Sequence, residues 1–498
     1  MKRILFGLIV TLTLLLSLSA VCADENVTGD LLSESDVVAD DIESSDTVQY
    51  KANSTIAADD AVGYDAFKTK LVVNLTSNGT NLSSRQIAIS VNDVTYNKTT
   101  NANGQASLKV KLPAGKYDVK YFYAGDENTT QASFTSKLTV KPAIKTTIKV
   151  ADKNINYRQG LTSLFIVHLA DVNGKALSNQ DVIIKVNGKE YNIKTDANGD
   201  AQITLSLKKG KYKAKFYFKS NSPYLASKGK FKIVVKPKMA KGDGYWIFGA
   251  DMKKVNLKSL SKSGTKQIFL NFYSIKLYGK SGVASWIKKA NKYGISVHIW
   301  MQVFYSGGKW VVPIDDNDGS IKYSYITSKV KEAKSYAKIK GVAGIHFDYV
   351  RLSGVKYREN GYKAVNYFVE KATAGIHKVN PNCIVSAAVM PEPSSLKYYY
   401  GQDIPTITKY VDAIVPMAYK GNYGQKTSWI TSVTKTLVKQ SKGAKVWCGL
   451  QTYKSDDDPT KLSSKKLLKD AKAAKSGGAS GVILFRFGLV KYINFKKV

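Results

Sequence analysis

Residues 239–498 alternate between apolar runs of strand length and amphipathic, lysine-rich segments of helix length. This alternation predicts a parallel sheet, because parallel strands need long crossover connections that are usually helical. Eight apolar runs in a region of this size match a closed barrel of eight β/α units. The alternative is an open doubly wound sheet. That fold normally has a glycine-rich phosphate turn after its first strand, and Asp251-Met252-Lys253 is no such turn.

The limits of these segments follow from the apolar runs and from helical periodicity. The predicted strands are Tyr245–Asp251, Gln267–Tyr273, Ile295–Phe304, Val342–Asp348, Ile384–Met390, Asp412–Tyr419, Lys445–Thr452 and Gly481–Arg486. The predicted helices include Val283–Tyr293, Ser328–Lys338, Tyr362–His377, Ser428–Gln440 and Ser463–Lys475.

An internal repeat precedes the barrel region. Asn103-Gly104 matches Asn198-Gly199, and Gly115-Lys116-Tyr117 matches Gly210-Lys211-Tyr212, both with an offset of 95 residues. Period-two runs between these turns predict antiparallel hairpins in a β-sandwich. The motifs N-A-N-G and G-K-Y resemble the immunoglobulin-like repeats of prokaryotic surface and adhesin-like proteins. The resemblance implies two all-β immunoglobulin-like sandwiches in front of the α/β barrel.

The chain is therefore predicted to be a multi-domain protein. The predicted units are a signal peptide (1–23), an acidic, Ser-rich disordered spacer (24–62), two immunoglobulin-like domains (63–142 and 143–238) and a (β/α)8 TIM barrel (239–498).

The amino terminus has the features of an export signal. Lys2 and Arg3 precede an apolar run, and Val21-Cys22-Ala23 resembles a cleavage site. No later stretch is apolar enough to span a bilayer, so no transmembrane segment is predicted after cleavage. We expect a secreted or cell-surface protein. Cys22 leaves a lipoprotein anchor as an alternative, although Val21 stands where such sites favour Gly or Ala.

The formal net charge of +37 limits the partners. Nucleic acid is one partner of such a surface, but export and the lack of a nucleic-acid module argue against it. An anionic glycan, a cell wall or a lipid surface is a partner that agrees better with export. The alternative explanation is that the lysines only keep the protein soluble. No Cys/His cluster has metal-ligand spacing, so neither a metal nor another cofactor is predicted. Cys383 and Cys448 are predicted to be free core cysteines.

Polar or aromatic side chains end each predicted barrel strand. Residues two apart share one face of a strand, and carboxyl ends of barrel strands form the substrate mouth. Polar groups at every strand end are costly in a plain core and suit a sugar site. The candidate mouth residues are Asp251, Asn271, His298, Trp300, Gln302, His346, Asp348, Tyr419, Trp447, Gln451 and Arg486.

Three segments carry a second resemblance: GISVHIWMQVF, AGIHFDYVRLSG and DAIVPMAY. They resemble glycoside-hydrolase barrels of the "domain of unknown function" type, distantly related to the amylases and chitinases. The resemblance covers most of residues 243–490, and GIHFDYVR is its most specific part. It implies hydrolysis of a glycosidic bond by carboxyl groups, without a cofactor.

Two assignments of the catalytic groups remain open under this resemblance. In an amylase-like barrel, Asp348 is the nucleophile and Glu392 the general acid. In a chitinase-like barrel, the acid lies on the fourth strand and a tyrosine on the sixth assists it, here Tyr419. The acidic run that chitinases carry on the fourth strand is reduced here to Asp348, and Asp251 is another candidate for the second carboxylate.

Other residues would bind the sugar. Arg351 would either steady Asp348 or bind substrate, and Trp300, Tyr349, Trp447 and Tyr453 would stack on sugar rings. The alternatives are an Asp348–Arg351 ion pair, a solvated loop position for Glu392, and core positions for the histidines and tryptophans. The predicted function is a secreted or cell-surface glycoside hydrolase acting on a cell-wall or extracellular polysaccharide. The alternative function is a non-catalytic, adhesin-like protein whose barrel binds glycan.

Overall fold

The structure is a computed structural model that describes residues 50–353, 358–488 and 493–498. The predicted signal peptide and residues 24–49 of the predicted spacer lie outside the described residues. In the described part of the chain, no helix has the length and apolarity needed to cross a membrane.

The first β-unit consists of two facing sheets. Its strands are β1 (Ser54–Ala57), β2 (Ala61–Tyr64), β3 (Thr69–Ser77), β4 (Thr80–Asn81), β5 (Gln86–Val91), β6 (Val94–Thr99), β7 (Gln105–Val110), β8 (Gly115–Tyr123) and β9 (Ala132–Lys141). One sheet has the order β1-β3-β4 with β7 also on β3, and the other has the order β2-β9-β8-β5-β6. Alternate residues such as Val73, Ile89 and Val119 are fully buried between the sheets.

The predicted spacer therefore ends earlier than residue 62. Strand β1 lies inside the predicted spacer, and Ile56 at its centre is only 5% exposed. The run Thr55-Ile56-Ala57 is too short to show alternation in the sequence, and its pairing with β3 supplies the missing partner.

The second β-unit has the same kind of construction. Its strands are β10 (Thr146–Val150), β11 (Ser163–Asp171), β12 (Asp181–Val186), β13 (Lys189–Lys194), β14 (Asp200–Leu205), β15 (Gly210–Phe218) and β16 (Ser227–Val235). They form sheets of order β10-β11-β14 and β13-β12-β15-β16 around Phe165 and Phe216. The β-sandwich prediction is confirmed at this level, and the immunoglobulin-like assignment stays a prediction.

The two Asn-Gly turns need glycine for the same reason. Gly104 and Gly199 have φ of 68° and 75°, and a Cβ on either would lie 2.6 Å and 2.5 Å from the carbonyl oxygens of Leu75 and Leu169. A side chain at either position would be strained by its backbone conformation and would also collide with a neighbouring strand.

The last unit is a closed barrel of eight parallel strands, which confirms the central prediction of the sequence. The strands are β17 (Gly244–Ile247), β18 (Gln267–Asn271), β19 (Ser296–Gln302), β22 (Gly344–Asp348), β23 (Ile384–Val389), β24 (Ala413–Pro416), β25 (Lys445–Gln451) and β26 (Gly481–Phe485), with a small hairpin of β20 (Tyr305–Ser306) and β21 (Lys309–Trp310) after the third barrel strand. The helices are α1 (Leu257–Lys262), α2 (Tyr273–Lys292), α3 (Tyr323–Ala337), α4 (Arg358–Val379), α5 (Leu396–Tyr400), α6 (Ile404–Tyr410), α7 (Thr427–Gln440) and α8 (Ser464–Ser476).

The barrel strands separate two apolar cores. Ile345 and Phe347 face outward and pack with the helices, as alternation predicts. Trp246, Phe269 and Trp447 fill the interior with other aromatic and aliphatic side chains. The two predicted free cysteines, Cys383 and Cys448, are indeed unpaired and buried.

The second β-unit is fastened to the amino-terminal end of the barrel by a buried ion pair. Arg158 Nε donates to Asp412 Oδ1 at 2.6 Å, and Arg158 Nη2 donates to Oδ2 at 3.2 Å. The backbone N–H of Val385 donates to Asp412 Oδ2 at 2.9 Å, and Asn156 Nδ2 donates to Oδ1. Burial alone would raise the pKa of Asp412, but Arg158 and then Lys236 outweigh it and lower the pKa below its usual value.

Candidate active site

A cavity of about 320 Å³ opens at the carboxyl ends of the barrel strands. Its lining consists of Trp246, Phe248, Trp300, Gln302, Asp348, Tyr349, Arg351, Met390, Met417, Tyr419, Asn422, Tyr423, Tyr453, Asp456 and Phe485. Six of the predicted site residues are therefore brought together here: Trp300, Gln302, Asp348, Tyr349, Arg351 and Tyr419. Tyr453, which was predicted to stack on a sugar, lines the cavity too.

Asp348 is the last residue of β22, and its side chain faces this cavity. The residue is 9% exposed. Its Oδ2 accepts a hydrogen bond from Trp300 Nε1 at 2.9 Å, and its Oδ1 accepts one from the backbone N–H of Tyr349 at 2.7 Å. Burial raises the pKa of Asp348, against the opposing effects of the Tyr349 N–H, Arg351 and Trp300. A buried carboxyl with a raised pKa is suited to hold a proton and to release it.

The backbone that follows Asp348 is held in an uncommon conformation. Tyr349 has a φ of 53°, in the left-handed region that a bulky residue rarely adopts. Two hydrogen bonds fix the turn, from Val303 N to Asp348 O at 2.8 Å and from Phe304 N to Tyr349 O at 3.1 Å. Strain of this kind persists only where surrounding contacts enforce it, which is frequent at ligand sites.

An aromatic wall stands on one side of the cavity. The ring of Tyr349 stacks on Tyr305 with centroids 4.4 Å apart and meets Trp310 at 5.4 Å. The guanidinium of Arg351 lies 4.6 Å from the ring centre of Trp310. Among the described residues Arg351 makes no ion pair within 4 Å of Asp348, so the ion-pair alternative does not hold. The Nε of Arg351 is buried without a hydrogen-bond partner in the same described set.

Tyr419 stands on another side of the cavity, just beyond β24. Its ring stacks on Phe485 with centroids 5.6 Å apart. Burial raises the pKa of Tyr419 well above its usual value, and the nearby Asp348 raises it further. The hydroxyl is therefore a neutral hydrogen-bond donor at any physiological pH.

Asp456 is a carboxylate of the cavity that the sequence reasoning missed. It lies in the loop after β25 and accepts hydrogen bonds from Tyr453 Oη at 2.8 Å and Asn422 Nδ2 at 2.8 Å. Gln451 Nε2 in turn donates to Asn422 Oδ1 at 3.0 Å, so Gln451 supports this loop from below the rim. The signal was available as three consecutive aspartates, residues 456–458, that begin four residues after the end of a predicted barrel strand.

Glu392 follows β23 and is half-buried beside the cavity, although it is not among the lining residues. Burial raises the pKa of Tyr400 to about 12 and also raises the pKa of Tyr423, and the nearby Glu392 raises both further. Tyr423 does line the cavity. One carboxylate oxygen of Glu392, Oε2, is buried without a partner among the described residues.

His298, His346 and Trp447 were predicted at the mouth, and the structure places them in the barrel interior below it. His298 Nε2 pairs with Gln267 Oε1 at 2.8 Å, and His346 Nδ1 pairs with Ser386 Oγ at 2.9 Å. Burial lowers the pKa of His298 to about 3 and that of His346 well below its usual value. Alternation fixes which face of a strand a residue occupies but not its height along the barrel, so these residues were placed too high.

Asp251, Asn271 and Arg486 also lie outside the cavity lining. Strand β17 ends at Ile247, so Asp251 falls in a 3-10 helix and pairs with Lys254 at 3.0 Å. Asn271 Oδ1 accepts the N–H of Tyr273 at 3.0 Å, at the start of α2. The guanidinium of Arg486 lies 4.5 Å from the ring centre of Phe248. Each of these side chains is occupied by a local structural contact.

Comparison with known proteins bears on this barrel. Residues 323–474 match the family described as "Putative glycosyl hydrolase domain". The barrel is similar to a glycosyl-hydrolase domain. The matched segment contains Asp348, Glu392, Tyr419 and Asp456, and it supports a carbohydrate-active enzyme. No curated protein matches the sequence.

Several solved structures are similar to part of the chain. A class V chitinase from Pseudomonas fluorescens Pf-5 is 14% identical over 52% of this chain and 98% of its own, with a TM-score of 0.39. The spore cortex-lytic enzyme SleL of Bacillus megaterium QM B1551 is 15% identical over 52% of this chain and 73% of its own, with a TM-score of 0.34. The fibronectin(III)-like modules of Clostridium thermocellum CbhA are 16% identical over 36% of this chain and 94% of theirs, with a TM-score of 0.23.

Proposed function

We propose that the chain is a secreted or cell-surface glycoside hydrolase that cleaves a cell-wall or extracellular polysaccharide at the barrel mouth. The observation that carries the proposal is Asp348, a buried carboxyl with a raised pKa that faces a cavity lined by aromatic rings. Sugar sites combine such aromatic faces with a few placed polar groups. The family match of residues 323–474 supports the same class of reaction.

Asp348 acts as the proton donor in this mechanism. Trp300 N–H holds Oδ2, and the Tyr349 N–H holds Oδ1, so the carboxyl has a fixed orientation when the substrate arrives. The proton passes from Asp348 to the glycosidic oxygen as the bond from that oxygen to the anomeric carbon breaks. Water supplies the hydroxyl that ends on the anomeric carbon. Its remaining proton returns to a carboxylate of the site.

The positive charge that develops on the sugar ring needs a second group. Asp456 is our first candidate, because it lines the same cavity and two hydrogen bonds hold its carboxylate in place. It would stabilise the charge or activate the water. Glu392 is the second candidate, since it lies beside the cavity against Tyr400 and Tyr423. Tyr419 donates a hydrogen bond to the substrate from the other side.

A glycan-binding function without catalysis is the second candidate function. The stacked wall of Tyr305, Tyr349 and Trp310 favours it, because such a surface holds sugar rings regardless of chemistry. Under both functions the two β-units carry the barrel at the cell exterior, in keeping with the predicted export signal.

Reducing-end release from a panel of wall and capsule polysaccharides tests the proposal. The full chain is the proper sample, because removing the second β-unit would expose the buried carboxylate of Asp412. We expect release by the parent protein and none above background by Asp348→Asn, while Asp348→Asn still binds the polysaccharide. Binding by both proteins without release by either would support the adhesin-like function.

A further inference from the structure

The two β-units carry corresponding sheets with different outward charges. Strands β8 and β9 of the first unit correspond to β15 and β16 of the second, with the same offset of 95 residues and the same antiparallel register. Residue pairs on these strands can therefore be compared position by position within one chain.

The outward face of the first unit carries fewer cations, three lysines and one aspartate among the paired residues of β8 and β9. Asp118 lies opposite Lys137, and their side chains form an ion pair at 2.6 Å. Lys116 and Lys120 lie opposite Thr139 and Thr135. No lysine on these two strands lies opposite another lysine across the ladder. The construction that the two units share therefore does not require lysine pairs at these positions.

In the second unit, lysines also replace the residues that correspond to Asp118 and Thr135. Lys213 lies opposite Lys232, and Lys215 lies opposite Lys230. All four side chains are exposed, and none of them makes an ion pair within the described ranges. Lys211 and Lys228 extend the two rows. Like charges placed directly opposite each other destabilise a sheet, so this arrangement has a cost that the first unit avoids.

Protection of the sheet edge explains only half of this surface. Strand β16 is the edge of its sheet, and lysines on an edge strand discourage pairing with other chains. Strand β15 lies between β12 and β16, however, and needs no such protection. The lysines of β15 therefore require another explanation.

We propose that the lysine face, formed by Lys211, Lys213, Lys215, Lys228, Lys230 and Lys232, binds a linear polysaccharide that carries carboxylates. Alternate residues of a strand are about 6.6–6.8 Å apart, so the face presents two parallel rows of evenly spaced cations. A shallow groove of about 640 Å³ runs along four of these lysines, Lys211, Lys213, Lys230 and Lys232. Evenly spaced cations along a groove suit an acidic sugar polymer.

The position of the face connects it with the barrel. Arg158 and Asp412 fix the second unit to the amino-terminal end of the barrel, so a polymer on the lysine face is held on the same rigidly joined molecule as the mouth at the opposite end. Tethering of this kind raises the local concentration of the polymer. The choice of a polysaccharide over other polyanions rests on the proposed function. The difference in outward charge between the two β-units is independent of that function.

Binding of polygalacturonate, which carries one carboxylate per sugar, tests the inference. The test variant is the full chain with Lys213→Asp and Lys230→Asp, which replaces both lysine pairs by opposite charges. The matched control has Lys116→Asp and Lys120→Asp on the first unit and loses the same net charge. We expect the test variant to bind at least about tenfold more weakly in low salt, and the control to stay within about twofold of the parent.

Several results would overturn the inference. These are equal weakening in both variants, no binding by the parent, and equal binding of fully methyl-esterified polygalacturonate. Vesicles containing phosphatidylglycerol test whether the partner is a lipid surface. If the protein binds these vesicles but does not bind polygalacturonate, the inference is also overturned. Melting temperatures of both variants at or above the parent value would exclude unfolding as the cause. Because Asp348→Asn should bind like the parent, loss of hydrolysis and loss of this binding are separate outcomes.

Discussion

Two buried aspartates occupy opposite ends of the barrel and have opposite surroundings. Asp412, at the amino-terminal end, is bound by Arg158, Asn156 and a backbone N–H, and its pKa is lowered. Asp348, at the mouth, receives one indole N–H and one backbone N–H, and burial raises its pKa. Under the proposed function, the barrel thus separates a structural carboxylate from a reactive one. A cation neutralises Asp412, whereas Asp348 has no such partner within 4 Å among the described residues.

The largest expected effect is on turnover at the mouth. Asp348→Asn keeps the shape of the side chain but removes the transferable proton, so we expect kcat to fall about 10³-fold, or about 4 kcal/mol in the barrier. Asp251→Asn is the matched control, because Asp251 lies outside the cavity and pairs with Lys254. Steady-state release of reducing ends measures both. Retention of more than a tenth of the activity in Asp348→Asn would contradict its catalytic role.

The next effect is on stability at the opposite end. Arg158→Met leaves the charge of Asp412 buried without its cation, and the free energy of unfolding should fall by about 3–5 kcal/mol. Urea denaturation measures this loss. Lys137→Met, which breaks the exposed pair with Asp118, is the control and should leave the urea midpoint unchanged. A loss below about 1 kcal/mol for Arg158→Met would mean that Asp412 is not held as described.

A smaller effect distinguishes the two candidates for the second carboxylate. Asp456→Asn should lower kcat about 10²-fold, because Asp456 lines the cavity with Asp348. Glu392→Gln should stay within about tenfold of the parent. The reverse order would assign the role to Glu392.

The smallest effect is a difference of sign in the pH dependence of stability. The folded pKa of Asp348 is raised above 3.8, so its contribution is full below that value and is lost as pH rises. The folded pKa of Asp412 is lowered below 3.8, so its contribution is present above that value and is lost as pH falls. At pH 7, Asp348→Asn should therefore stabilise the protein by about 1 kcal/mol, and Asp412→Asn should destabilise it.

Urea titrations at about pH 3, 5 and 7 measure both variants. The two differences from the parent should have opposite signs at pH 7 and should both become smaller toward pH 3. A destabilisation by both variants at neutral pH would remove the distinction between the two aspartates.

The sequence predicts features that depend on local pattern. The eight barrel strands follow from apolar runs, and Asp348 follows from its place at the end of one run. Asp456 was missed because its position depends on how a loop folds back over the rim. His298 and His346 were placed too high because a strand pattern gives the face of a residue and not its depth.

Sequence patterns do not predict contacts between segments that are distant in the chain. Arg158 and Asp412 are 254 residues apart, and although Asp412 begins the DAIVPMAY segment, nothing in that segment indicates Arg158 as its partner. The pairing of lysines across β15 and β16 likewise requires the register of the ladder, although the offset of 95 residues already aligned the two copies.

The role of Asp348 as proton donor is tested most directly by changing the leaving group. Turnover of the parent and of Asp348→Asn should be compared on the polysaccharide and on the 2,4-dinitrophenyl glycoside of the sugar that it releases. Because the dinitrophenolate departs without protonation, we predict about a 10³-fold loss on the polysaccharide and less than tenfold on the aryl glycoside. Equal losses on both substrates would contradict proton donation by Asp348.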